Sequence, residues 1–285
     1  MDFALVAFGL GVGILVGMTG IGGGSLMTPM LILVFGVTPT TAIGTDLAYA
    51  AVTKTVGGYK HWKQRTVDLT LSTWMAIGSV PAAVLGVYVL TLLKDWLGDD
   101  FDDSVIVLLA GALLLTGTAT LIRALLKKMQ ERERDTIDME RRHKIAAVLL
   151  GLSVGFVLGV TSAGSGALIA VGLILLFRLS PRRVVGTEVF HAAILLWAAG
   201  LAHVTAGNVD FGLAGTILLG SVPGVWLGSH WSVRVDPAIL RGTLAVVLIG
   251  AGLALMIKAG LDIPIAVIVP FPLAVIALLV VTMVR

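Results

Sequence analysis

Long apolar runs broken by short polar punctuation set the layout of this chain. Apolar blocks fall at 3–35, 41–59, 70–93, 104–126, 145–177, 183–203, 211–231, 238–258 and 263–283. A helix needs roughly 20 predominantly apolar residues to cross a bilayer, so the blocks predict an all-α polytopic membrane protein. The first and fifth blocks are interrupted. Gly20, Gly22, Gly23 and Gly24 crowd into the first, and glycine carries a large backbone-entropy cost in a helix. The block therefore splits into two helical pieces. At membrane depth, such irregular backbone survives only where protein buries it or it lines a cavity.

The interruption recurs 142 positions later, where Gly17, Thr19, Gly22 and Gly24 match Gly159, Thr161, Gly164 and Gly166. At the same offset, Pro39, Gly44 and Thr45 match Pro181, Gly186 and Thr187, and Gly58, His61 and Asp68 match Gly200, His203 and Asp210. Gly78-Ser79-Val80-Pro81 and Gly86 match Gly220-Ser221-Val222-Pro223 and Gly228. Shared apolarity alone would not bring His, Asp and Pro into register, so the chain reads as a duplication. Residues 1–126 form a first membrane repeat, 127–144 a charged connector, 145–258 a second repeat, and 259–285 an extra C-terminal span. That last span carries Pro264, Pro270 and Pro272 and has no counterpart in the first half.

Composition agrees with the pattern. Of 285 residues, 57% are hydrophobic and 13% charged, with a mean hydropathy of +1.01. Soluble domains carry about 25% charged residues. The net charge of +3 points to basic cytoplasmic loops and not to nucleic acid. There is no cysteine, which excludes disulfides and Cys-ligated metals. Met1-Asp2-Phe3 lacks a basic leader region, so no removable signal peptide is expected.

Charge placement also orients the chain. If each broken block is a re-entrant hairpin, Lys60, Lys63, Arg65, the connector, 178–183, 229–241 and Arg285 all lie inside. The outer loops are then 36–41, the acidic turn around Asp99 and Asp100, 203–210 and 258–262. A single crossing per block would instead put Arg178, Arg182, Arg183 and Arg234 outside, against the positive-inside rule. The expectation is thus two inverted-topology repeats, each a broken re-entrant helical hairpin plus three transmembrane helices, in the cell (inner) membrane. The N-terminus is outside and the C-terminus cytoplasmic. Inverted repeats are common in secondary transporters.

The motif Gly17-Met18-Thr19-Gly20-Ile21-Gly22-Gly23-Gly24-Ser25-Leu26-Met27-Thr28-Pro29 and the stretch Ala42 to Ala48 resemble the TauE/SafE sulfite-exporter family. Leu179 to Thr187 and His203 to Asp210 extend the resemblance over nearly the whole chain. It implies transport of sulfite or of small organosulfur anions such as sulfonates. Two features depart from the family pattern: the second cluster, Ser162-Ala163-Gly164-Ser165-Gly166, is less glycine-rich, and Asp46 and Glu188 replace small polar residues.

The breaks suit such a ligand. Each ends where a short helix begins, and a helix N-terminus offers unsatisfied N–H groups and partial positive charge. Glycine lets those groups converge on an anion. The candidate substrate-binding residues are Thr19, Gly20, Gly22, Gly23, Gly24 and Ser25, with Thr161, Ser162, Gly164, Ser165 and Gly166. Close helix packing is the bland alternative. Candidates for coupling or gating are Asp46 and its equivalent Glu188, together with His191 and Lys54. Intramembrane carboxylates are expensive and tend to be paired, protonated or functional, and the proton is the candidate coupling ion. His191 reads as a satisfied core histidine. Lys54 is expected to snorkel to the inner face, and His61 and His203 to cap backbone at span ends. Trp62, Trp96 and Trp231 fit an aromatic belt.

The partners expected are the bilayer and a small sulfur-containing anion, with no cofactor and no metal. A homodimer is compatible, and the oligomeric state stays open. Two rival classes are a passive anion channel and an intramembrane hydrolase using Ser165 with His191 or His203.

Overall fold

The computed structural model describes residues 3–19, 24–125, 135, 137–232 and 237–262. Within them the chain forms ten α-helices in a repeated order. The first half comprises α1 (Phe3–Thr19), α2 (Gly24–Leu33), α3 (Pro39–Lys63), α4 (Leu69–Leu97) and α5 (Phe101–Leu125), with a short 3-10 turn, Gly98–Asp100, before α5. The second comprises α6 (Arg141–Thr161), α7 (Ser165–Phe177), α8 (Pro181–Thr205), α9 (Phe211–Ser232) and α10 (Pro237–Lys258). The expected C-terminal span, 263–283, lies outside the described residues, as does most of the connector.

Local chemistry sets these boundaries. Pro39 and Pro181 open α3 and α8, where the missing N–H costs nothing. Asp68 and Asp210 cap α4 and α9 by accepting from Leu71 N and Leu213 N, each at 2.9 Å. Five stretches are long and apolar enough to cross a membrane: Leu69–Ile122, which holds both α4 and α5, then Arg141–Thr161, Pro181–Thr205, Phe211–Trp231 and Leu240–Lys258. The chain is a multi-pass membrane protein. Helix α3 has the length, 25 residues, but carries Asp46 and Lys54 inward and three basic residues in its last turn. A girdle of exposed apolar side chains, including Val56, Tyr88, Leu115, Leu149, Leu219 and Trp226, faces away from the core. Such a surface suits lipid.

Glycine sets the closest helix contacts. Helix α1 runs parallel to α9, and a Cβ on Gly9 would come 2.6 Å from the Ile217 carbonyl, one on Gly13 2.5 Å from that of Ser221. Helix α6 runs parallel to α4 in the same manner, with Gly151 against Met75 and Gly155 against Ser79. Small residues let membrane helices approach backbone to backbone. Helices α3 and α8 cross antiparallel, with Ala48 beside Gly200 and Gly58 beside Phe190.

Several contacts between the halves recur with their partners exchanged. Gly44 abuts Asn208, and its equivalent Gly186 abuts Thr66. Asp210 N donates to Thr45 Oγ1 at 3.0 Å, and Asp68 N to Thr187 Oγ1 at 2.9 Å. This reciprocity is the mark of a twofold relation. Residues equivalent by the repeat can touch only where such an axis passes. Trp197 Nε1 donates to its own equivalent, Thr55 Oγ1, at 2.8 Å, and Gly252 lies against its equivalent, Ala110.

Candidate functional site

The second break joins α6 to α7. Helix α6 stops at Thr161, and Ser162 caps it in the left-handed region at φ 59°. Gly164 precedes α7 at φ +99°, a conformation that side chains with a Cβ rarely adopt. Ser165, Gly166 and Ala167 follow as the first, buried residues of α7. The first N–H groups of a helix have no partner within it. The first return to the helix ladder is Leu168 N to Gly164 O at 3.1 Å.

Ser162 reaches across to the first half. Its hydroxyl lies within hydrogen-bond distance of Asp46 Oδ2, at 3.0 Å, and Thr28 Oγ1 lies 2.6 Å from the same oxygen. Thr28 and Ser162 also meet each other, hydroxyl to hydroxyl, at 2.6 Å. Thr28 and Asp46 are fully buried, and Ser162 is 1% exposed. Helix α2, helix α3 and the break after α6 thus each contribute one oxygen to a single buried triangle. Asp46 Oδ1 has no hydrogen-bond partner among the described residues.

A second polar group lies farther along α3. Lys54 Nζ pairs with Glu188 Oε1 of α8 at 2.8 Å, and both side chains are almost wholly buried. The expectation that Lys54 snorkels to the inner face is therefore corrected. A carboxylate within reach offers the ammonium a better partner than distant solvent, and a buried charge is retained only when paired. His191 is fully buried, with Ser79 Oγ 3.1 Å from Nε2 and Ser72 Oγ 3.4 Å from Nδ1, so both ring nitrogens face a hydroxyl. His203 bonds the Gly159 carbonyl at 3.0 Å and Asn208 at 3.2 Å, and His61 bonds Thr66 at 3.0 Å. Trp62, Trp96 and Trp231 are exposed.

The remaining candidate residues fall as follows. Gly20, Gly22 and Gly23 lie outside the described residues; Thr19 ends α1 and Gly24 begins α2. Ser25 and Ser165 are buried near the starts of α2 and α7. Thr161 is spent locally, donating to Val157 O at 2.6 Å and accepting from Ala163 N at 3.3 Å. No group of three or more His, Cys, Asp or Glu side chains that could hold a metal occurs among the described residues.

Two residues at the centre escaped the sequence reading. Thr28 lies three positions after Ser25, hence on the same helix face, and with Ser25 supplies the two hydroxyls of an otherwise apolar helix. Tyr49 is the repeat equivalent of His191, buried with its hydroxyl unpartnered among the described residues. Chemically unlike residues at equivalent positions do not advertise themselves as a pair.

A model of the sulfite exporter TauE/SafE family matches residues 5–255. The chain belongs to this family. The probable membrane transporter protein YjnA of Bacillus subtilis is 38% identical over 255 residues, covering 89% of this chain and 99% of the relative. YdhB of the same organism, also named a probable membrane transporter protein, is 30% identical, with 89% and 98% covered. A probable membrane transporter protein of Xylella fastidiosa is 26% identical, with 87% and 93% covered. No solved structure matches the chain. As a TauE/SafE protein it is a membrane transporter and not an enzyme, so the pairing of Ser165 with a histidine as nucleophile and base is set aside.

Proposed function

We propose that this chain is a secondary carrier for sulfite or a small sulfonate-type anion, which binds near the membrane midplane between the two glycine-rich breaks. The observation that carries the reading is the junction of Ser162, at the second break, with Thr28 and Asp46 of the first repeat. A shared interior position is what a carrier needs, because movement of either repeat then changes access to one site. Beside it, the N-terminus of α7 offers N–H groups and partial positive charge to an oxyanion. The first-half counterpart, built from Thr19, Gly20, Gly22, Gly23, Gly24 and Ser25, is part of the same proposal.

In this reading the repeats are inverted, with the chain in the cell membrane, the N-terminus outside and the C-terminus cytoplasmic. The antiparallel crossing of the equivalent helices α3 and α8 supports it, since repeats related by an axis along the membrane normal would place them parallel. A carboxylate so near an anion site would repel its ligand, so a proton on Asp46 when the anion binds relieves the conflict. Anion and proton then travel together. The test is equilibrium binding of sulfite and of a simple sulfonate to the purified protein and to Gly164→Val. Binding by the parent protein and its loss in a folded variant are expected; unchanged affinity in the variant overturns the site.

A further inference from the structure

We propose that Thr28, Asp46 and Ser162 form a ring that holds one exchangeable proton, the coupling proton of the carrier, and that Glu188 plays no part in the exchange. This rests on the carrier reading above and separates two carboxylates that the repeat makes equivalent.

Charge balance distinguishes them first. Glu188 has a fixed counter-charge, the Lys54 ammonium at 2.8 Å. The residue equivalent to Lys54 in the second repeat is Leu196, which is buried and apolar. Among the described residues, Asp46 therefore has no fixed cation where Glu188 has one. The surrounding helices do not supply it. Helix α2, residues 104–122 of α5, 145–161 of α6 and 211–229 of α9 contain no titratable side chain. Helix α3 itself adds Tyr49 and Lys54 as buried titratable groups, besides Tyr59, Lys60, His61 and Lys63 near its end, and the buried titratable groups of α8 are Glu188, His191 and His203. Lys54 and Glu188 neutralise each other, and both histidines are engaged by hydroxyl, amide or carbonyl groups. A buried carboxylate left so must be discharged by an exchangeable ion.

Counting hydrogens identifies that ion. Thr28 Oγ1, Ser162 Oγ and Asp46 Oδ2 form a triangle with edges of 2.6, 2.6 and 3.0 Å. Every edge has hydrogen-bond length, yet two hydroxyls supply only two hydrogens. Two oxygens at 2.6 Å with no hydrogen between them repel. A carboxylic acid supplies the third hydrogen. Asp46 then donates from Oδ2 to Ser162, Ser162 donates to Thr28, and Thr28 donates back to Asp46. Deprotonation, with the proton passing to water, leaves the ring one hydrogen short and frees a hydroxyl. Because Ser162 also caps α6, proton release is tied mechanically to the second break.

Difference infrared spectroscopy of the purified full chain, parent minus Asp46→Asn, tests the proton site without any anion. The carboxamide of the variant mimics the acid as a donor, so folding is expected to survive. The expected result is a protonated-carboxyl C=O band that declines as pH rises and shifts in Thr28→Val. Leu196→Lys, which gives Asp46 the fixed cation that Glu188 has, is expected to remove the band. Carboxylate signals alone at every pH would overturn the proposal, as would a band abolished by Na⁺ at constant pH, which would make sodium the exchangeable ion. In proteoliposomes, the stimulation of sulfite uptake by a pH gradient, taken relative to each protein's own uptake without the gradient, should fall at least ~10-fold in Asp46→Asn. Stimulation by the gradient as strong in the variant as in the parent overturns the coupling role. If the parent protein carries no sulfite, the proposed function fails, while the infrared band still decides the proton site.

Discussion

Lys54 and Glu188 place opposite charges 2.8 Å apart at side-chain exposures of 7% and 3%. Removing one partner of a buried pair strands the other, typically at a cost of about 3–5 kcal/mol, whereas replacing both is often near neutral. Lys54→Met should therefore lower the melting temperature of the solubilised protein markedly, and Lys54→Met with Glu188→Gln should recover most of the loss. Equal melting of the single and double variants would show that the pair is not energetically coupled. Gly164 is governed by backbone geometry. Its φ of +99° strains any residue with a Cβ, and the added atom would also lie 2.7 Å from Leu168 Cδ1. Gly164→Ala should destabilise the protein by about 1–3 kcal/mol, read by thermal denaturation.

At the scale of elements, the glycines divide into those that meet a neighbouring backbone and those that meet nothing. A Cβ at Gly151 would collide with the Met75 carbonyl and force α6 away from α4, whereas one at Gly111 of α5 has open space. Gly151→Ala should cost on the order of 1–3 kcal/mol through overpacking. Gly111→Ala should instead stabilise by up to about 1 kcal/mol, because alanine loses less backbone entropy in a helix. Side-by-side melting of the two variants checks this; a Gly151→Ala protein as stable as its parent would mean that the helix pair yields freely. The sequence announces both glycines in the same way, and only the neighbouring helix tells them apart.

For the whole molecule, the decisive property is the direction of each repeat across the bilayer. The chain has no cysteine, so single cysteines can be introduced cleanly. Those replacing Thr38 and Ala206 should react with an impermeant thiol reagent from outside. Those replacing Lys63, Asp135 and Arg182 should react only after the inner face is opened. Outside labelling at position 182 would sink the inverted arrangement. The cross-repeat contacts sharpen the expectation: Arg183 donates to Val67 O at 2.9 Å, so the loops after α3 and before α8 share one face.

The sequence by itself determined the helices, the duplication and the family resemblance, because hydropathy, proline and glycine act through local backbone and solvent preferences. The interruption at Gly159–Gly166 is visible in this way, and so is the equivalence of Asp46 and Glu188. What they contact was decided only by the tertiary structure. Lys54 and Glu188 stand 134 positions apart, as do Thr28 and Ser162, and neither pair follows from the 142-residue repeat. Equivalent positions predict each other's environment only while the duplication stays symmetric, and Leu196 in place of a second lysine breaks it. A twofold packs helix faces from opposite halves of the chain, so the partners of a buried charge are set by that packing. No local pattern encodes them, which is why one carboxylate is paired with lysine and the other closes a ring of hydroxyls.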